Sequence, residues 1–292
     1  MSNPSVGSLA TLWRFPVKSM LGEAVDRADV TESGLVGDRA YGLVERVSGK
    51  VVSAKNVKAY PALLHCRAAF VEAPKAGQDA PPVRMTLANG RVIDSDAADA
   101  NATLSKFFGR DVELRRAAPA DYTIDEYNLD LANDDLGAEI AAPLGSALWK
   151  QLGARSPVPV GAFFDAFPLS VLTTATLDRL NALRPQTQFD ARRFRMNVVV
   201  DVRESGFVEN AWIGRTLAIG AALRVRIVMP DPRCVITTLE QDGLPRDIEV
   251  LRTLTAHNRL PFGDNTEKPC AGVYGVVLSA GAIATGDAVV LH

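Results

Sequence analysis

Short apolar or alternating stretches, each broken within a few residues by a turn former, recur at both ends of this chain and constrain its fold more than any motif. In the first third they are "SLATLWRF", "EAVDRADVT", "RAYGLVER", "LLHCRAAFVE" and "VRMTLANGRVID". In the last third they are "NVVVDV", "TLAIGAALRVRIV", "RCVITTLE", "AGVYGVVLS" and "GDAVVLH". Period-two patterns bounded by Gly, Pro, Asn and Asp predict strands, and their crowding favours a mostly antiparallel sheet or barrel. Asn89-Gly90 sits between two alternating runs and predicts a type I′ hairpin. Helices are few: "AADANATLSKFFG" ending at Gly109, "PLSVLTTATLDRLNALRP" as a strand running into a helix capped by Thr173 or Thr174, and the amphipathic "RDIEVLRTLTAHNR".

Between about Pro119 and Gly161 the pattern weakens into an acidic, loosely periodic stretch, read as a solvated loop at a domain junction. The predicted fold class is therefore mainly β (α+β): two β-barrel-like domains with a few peripheral helices, over residues 1–118 and 161–292, joined by an acidic connector at 119–160. With 292 residues, 47% of them apolar, the chain can bury one large core or two modest ones.

Charge and cysteine usage exclude several functions. A formal net charge of -2 does not suit a general nucleic-acid binder, which needs many phosphate contacts from a basic surface. Three cysteines without a C-x-x-C pair fit neither a disulfide framework nor a cysteine-only zinc or iron–sulfur site, and the expected compartment is the reducing cytoplasm. No apolar run approaches the roughly 20 residues of a membrane span, and the N-terminus lacks an export signal. His65, His257 and His292 are isolated from one another. Dinucleotide, P-loop, serine-hydrolase and zincin motifs are missing.

Three polar stretches remain: "FPVKS" with Lys18 and Ser19, "GLVGDR" with Arg39, and "RRFRMN" with Arg195 and Asn197. Each offers groups that suit an anion, since an arginine fork matches a phosphate and lysine adds a point charge. Singly, each reads as a surface charge: Lys18 and Ser19 as a polar turn after Pro16, Arg39 as a partner of Asp38. Cys234 follows Arg233 and a Pro-Asp-Pro expected to fix a turn. A positive neighbour favours the thiolate, a nucleophile or soft-metal ligand. The plainer reading, a buried cysteine acting as a small hydrophobe, is favoured by this stretch alone, and more strongly at Cys66 and Cys270.

Taken together these pieces resemble a known family. "LWRFPVKSMLGEAVDRADVTESGLVGDRAYGLVE" is similar to the N-terminal β-barrel domain of MOSC proteins, and the segments from "RRFRMNVVVD" through "RVRIVMPDPRCVITTLEQDG" to "GVYGVVLSAGAIATGDAVVL" are similar to the MOSC domain. The family includes the amidoxime-reducing components, which the chain resembles, and the resemblance implies a molybdenum cofactor: a metal held by the dithiolene of a pyranopterin that ends in a phosphate. It places the metal-binding cysteine on Cys234, the site aspartate on Asp165, and cofactor contacts on Lys18, Ser19, Arg39, Arg195 and Asn197, with Arg233 supporting the thiolate. Where reductase members carry hydroxyl residues, this chain has Pro232, Ala166 and Phe167.

The function so implied is a molybdenum-dependent oxidoreductase that reduces N-hydroxylated or N-oxide substrates by oxygen-atom transfer to molybdenum. The alternative is a cofactor carrier or sulfur-transfer protein. No haem, flavin or iron–sulfur cluster is expected in the chain, nor pyridoxal phosphate. Electrons would then come from a separate haem, flavin or iron–sulfur protein, and the substrate would be a small molecule. Asp165 reads equally as a proton donor and as a turn cap.

Overall fold

The structure is a computed structural model that describes residues 5–119, 121–262 and 266–292. Its centre is a closed barrel of seven strands. Around the barrel the order is Leu169–Thr173, Val198–Val202, Ser5–Arg14, Ala288–Leu291, Thr216–Ile219, Leu223–Pro232 and Glu267–Ser279, which closes onto Leu169–Thr173. Alternate residues of these strands point inward, as a closed sheet requires. Leu9, Leu12, Leu169, Val171, Val198, Val200, Leu217, Ile219, Val225, Ile227, Val273 and Val289 form one core.

Two features of this barrel bear on the site. Leu169–Thr173 and Val198–Val202 pair in parallel. Parallel neighbours need a crossover, and the helix Thr174–Leu183 supplies it, its first turn capped by the Thr173 hydroxyl, which accepts from Thr176 N at 3.2 Å. The second feature is the leading strand, which lies between two strands of the C-terminal third, with Leu12 opposite Val198. Residues Phe15 to Ser19 therefore leave the barrel wall beside Asn197, and Trp13 N donates to Asn197 O at 2.9 Å.

Arg27–Thr31 and Gly34–Leu35 pair with Gly281–Ala284 and add Ala28, Val30 and Leu35 to the barrel core, whereas most of the remaining first third builds a barrel-like body around its own core, which includes Val17, Met20, Tyr41, Leu43, Leu63, Cys66, Met85, Leu104 and Val112. Its sheets are small, Gly42–Glu45 with Val112–Arg115 and Arg67–Phe70 with Val83–Thr86 and Val92–Asp94, and isolated bridges such as Val17 to Tyr41 join it to the exit of the leading strand. Gly42 is forced by a close approach: a Cβ there would sit 2.4 Å from the Phe163 ring.

Helices form where the sequence predicted them, at Ala100–Phe108, Thr174–Leu183 and Glu249–His257, the first ending on Gly109 in the left-handed region. Four local expectations are corrected. The acidic stretch is not a loop: Thr123–Asp130 and Asp135–Pro143 pair as a hairpin, followed by the helix Gly145–Gln151. Its inner side is apolar, with Tyr122 and Ile124 packed on Phe163 and Val51, which the surplus of carboxylates on the other side obscured.

The turn at Asn89-Gly90 has positive φ only at Gly90, so it is a three-residue loop closed by Gly90 N to Leu87 O at 2.9 Å rather than a type I′ turn. "RCVITTLE" is not a strand: Val235–Thr238 is a 3₁₀ turn in which the Thr237 and Thr238 hydroxyls donate to the carbonyls three residues back, at 3.0 and 2.8 Å. Such local bonds compete with a sheet ladder. Pro-Asp-Pro ends the strand Leu223–Pro232, where the pairing is bulged between Pro230 and Pro232, instead of forming a turn.

Candidate functional site

Five non-glycine residues among those described have positive φ, and three of them are Ser19 at 66°, Arg39 at 49° and Arg195 at 54°. Such backbone costs free energy in a residue with a Cβ and concentrates at functional sites. Here it turns three loops toward one place. Arg39 N donates to Phe15 O at 2.7 Å and Lys18 N to Tyr41 O at 2.8 Å, which ties the Arg39 loop to the exit of the leading strand.

The first part of the site is a pair of guanidinium groups around one ring. Arg39 lies 5.0 Å and Arg195 4.4 Å from the Phe15 centroid, and Arg39 Nη2 donates to Arg195 O at 3.3 Å. Asp38, with no exposed side-chain surface, pairs with Arg39 while accepting from Phe15 N at 2.7 Å and from Asn197 Nδ2 at 2.9 Å. Arg195 has one partner, the Met20 carbonyl at 2.8 Å, and its Nη1 is buried with none. Burial, reinforced by the Arg39 charge, pushes the Arg195 guanidinium down to about 9. Two cations held against one carboxylate suit an anion that takes the free N–H.

The second part is a bridge of carboxylates and lysines. Lys18, buried, donates to Phe163 O at 3.0 Å and pairs with one oxygen of Asp165. Lys55 lies 3.2 Å from the other Asp165 oxygen and 3.3 Å from Glu126 Oε2. Burial opposes ionisation of Asp165, but Lys18, Lys55 and Arg39 outweigh it and hold the carboxyl well below the usual range. Burial lowers Lys18, whereas at Lys55 the same penalty is overcome by Asp165, Cys234 and Glu126, and its ammonium is raised. Both oxygens of Asp165 are thus engaged by ammonium groups.

Cys234 caps the 3₁₀ turn at half-buried exposure, within the electrostatic reach of Lys55 and Arg233. Among the described residues its sulfur makes no hydrogen bond, whereas Cys66 Sγ donates to Ala62 O at 3.4 Å and Cys270 Sγ to Lys268 O at 3.2 Å. Burial pushes those two thiols up to about 11 and about 12. Arg233 is fixed by buried Asp231 and by Phe194 O at 2.5 Å, while its Nε is buried without a partner. Tyr274 interacts with Asp231 and stacks on Phe167 at 5.1 Å, which commits Phe167 to an aromatic contact.

The sequence-selected residues do not all face one space. Asn197 is committed to the framework: Oδ1 accepts from Ser170 Oγ at 3.1 Å, and Nδ2 reaches Asp38 and, at 3.3 Å, Trp13 O. Ser19 Oγ accepts from Ala54 N at 3.1 Å, so it positions the turn carrying Lys55. The Arg39–Asp38 pair is present as the plainer reading had it. Lys55, Glu126, Asp231 and Tyr274 were missed. Lys55 is one of two lysines in "VVSAKNVK", its carboxylate partners lie far along the chain, and no local pattern marks it.

Comparison with known proteins follows the same lines. Residues 6–116 match the MOSC N-terminal beta barrel domain, and residues 159–290 match the MOSC domain. The chain belongs to the MOSC-domain proteins. It is 27% identical to mouse mitochondrial amidoxime-reducing component 1, covering 98% of this chain and 82% of that protein. It is also 27% identical to human mitochondrial amidoxime reducing component 2, over 97% and 83% of the two chains. Among solved structures, the YUAD protein from Bacillus subtilis covers 98% of this MOSC-domain protein and 95% of its own chain, at 10% identity and a TM-score of 0.43. Among the described residues no helix is long and apolar enough to cross a membrane.

Proposed function

We propose that this MOSC-domain protein binds a molybdenum cofactor and reduces N-hydroxylated or N-oxide small molecules. One observation carries the reading: a half-buried thiol without a hydrogen-bond partner shares its site with two buried guanidinium N–H groups, on Arg195 and Arg233, that also have none. That donor set fits a phosphate-bearing pterin whose metal takes a soft thiolate. The cofactor, when bound, supplies the redox chemistry.

The chain's own groups then divide the work. Cys234 holds the metal, and Arg233, itself fixed by Asp231, supports the thiolate. Arg39 and Arg195 hold the phosphate end, and Phe15 orders both by its ring face. Lys18 fixes Asp165 as an anion beside the metal position. Ser19 and Asn197 hold the loops that carry these groups, without facing the ligand. Electrons come from a separate small redox protein, in keeping with relatives named as components of an amidoxime-reducing system.

The test is an anaerobic assay of protein made in a cofactor-producing host, with an amidoxime as substrate. Reduced methyl viologen is expected to drive turnover and NADH alone is not. Molybdenum without turnover under viologen would replace the oxidoreductase by a cofactor carrier, and absence of both molybdenum and turnover would overturn the reading.

A further inference from the structure

Lys55 has the geometry of a site residue without a role in the reading above. Its side chain is 12% exposed, and its turn is pinned on both sides, by Ala54 N donating to Ser19 Oγ at 3.1 Å and by Tyr127 N donating to Lys55 O at 3.1 Å. The ammonium is therefore placed between Asp165 Oδ2 at 3.2 Å and Glu126 Oε2 at 3.3 Å, and it acts on Cys234 through space. Glu126 belongs to the hairpin strand Thr123–Asp130, so the acidic connector sends one carboxylate into the site.

The charges of this corner decide the inference. Lys18 and Lys55 face Asp165 and Glu126, and the four groups balance. Without Lys55 the two carboxylates converge on one vacated point: Asp165 keeps Lys18 and the more distant Arg39, while Glu126 loses its ammonium partner. The corner beside Cys234 becomes more negative, and added negative charge there repels both a thiolate and an anionic ligand. We propose that Lys55 is a further cofactor-holding residue, a fixed cation that screens the cofactor and the Cys234 thiolate from Asp165 and Glu126. The inference rests on the proposed cofactor and adds a residue and a mechanism of retention to it.

The experiment compares full-length wild type, K55Q, K55R, E126Q and K55Q/E126Q, each produced in a cofactor-synthesising host. Molybdenum and pterin per chain are followed over time during exchange into cofactor-free buffer, alongside melting temperature. K55Q is expected to release cofactor about tenfold faster, equivalent to about 1.4 kcal/mol, and K55R to behave as wild type. K55Q/E126Q recovers most of the loss, because removing one carboxylate restores the balance, and E126Q alone holds cofactor longer than wild type.

A lysine that serves the fold alone would lower the melting temperature of K55Q without rescue by E126Q. Retention in K55Q equal to wild type, or a double variant as poor as K55Q, would overturn the proposal. Should K55Q not fold, E126Q decides: retention no longer than wild type overturns it as well. A wild type that holds no molybdenum would overturn the cofactor reading and this inference with it, whereas a loaded wild type with an unaffected K55Q removes the inference alone.

Discussion

The arginine corner and the lysine corner of the site are both built from charged side chains of distant segments, yet they are balanced differently. Around Phe15, Asp38 pairs with Arg39 alone, and Arg195 beside it has one guanidinium N–H buried and unpartnered among the described residues. Around Asp165, two lysines meet two carboxylates at short range. The first corner is short of an anion and the second is complete. The phosphate-bearing ligand proposed above would suit the first, while the second acts electrostatically on Cys234.

The contrast is broken most severely at Asp38. It is buried, paired with Arg39 and bonded to Phe15 N and Asn197 Nδ2, so Asp38→Ala leaves a buried cation and two donors without it and is expected to cost about 3–5 kcal/mol in urea unfolding. Lys18→Ala strips one of two cations from Asp165 and is expected to cost less, about 1–3 kcal/mol, since the Asp165 side chain keeps 38% exposure and solvent screens it. The Asp165 carboxyl is depressed in the fold, so its stabilisation is complete above the unfolded value of about 3.9 and is lost as pH falls below it. Asp165→Asn is expected to flatten the unfolding profile below about pH 4, as thermal melts across the acid range will report.

The smallest effect on the fold falls in the anion-short corner. Arg195→Met removes a buried charge that lacks a full set of partners and is expected to leave the ligand-free melting point unchanged or raised. The same change is expected to weaken cofactor retention by about tenfold to a hundredfold, the loss of a charged hydrogen bond. A fall in the ligand-free melting point as large as that of Asp38→Ala would erase the distinction between the corners.

Sequence patterns revealed the strands and the main helices because inward residues alternate and caps are local, as at Thr173 and Gly109. They failed where hydroxyls competed with the sheet, at Thr237 and Thr238, and where charge on one side of a hairpin hid an apolar inner side, at Tyr122 and Ile124. Within the site, Cys234, Asp165, Lys18, Arg39 and Arg195 were selected by resemblance and are brought close. The partnership of Lys55 with Glu126 and Asp165, and that of Asp231 with Tyr274, were not legible. Lys55 and Asp165 are joined across more than a hundred residues, and Asp231 meets Tyr274 only because two strands of the barrel pair.

In the proposed function one thiol of three, that of Cys234, holds the metal. The direct measurement is molybdenum per chain in purified Cys234→Ala, Cys66→Ala and Cys270→Ala, prepared identically in a cofactor-producing host. No molybdenum is expected in Cys234→Ala, and wild-type content per folded chain in the other two, whose thiols are buried and bonded to carbonyls. Full molybdenum in Cys234→Ala would contradict that assignment.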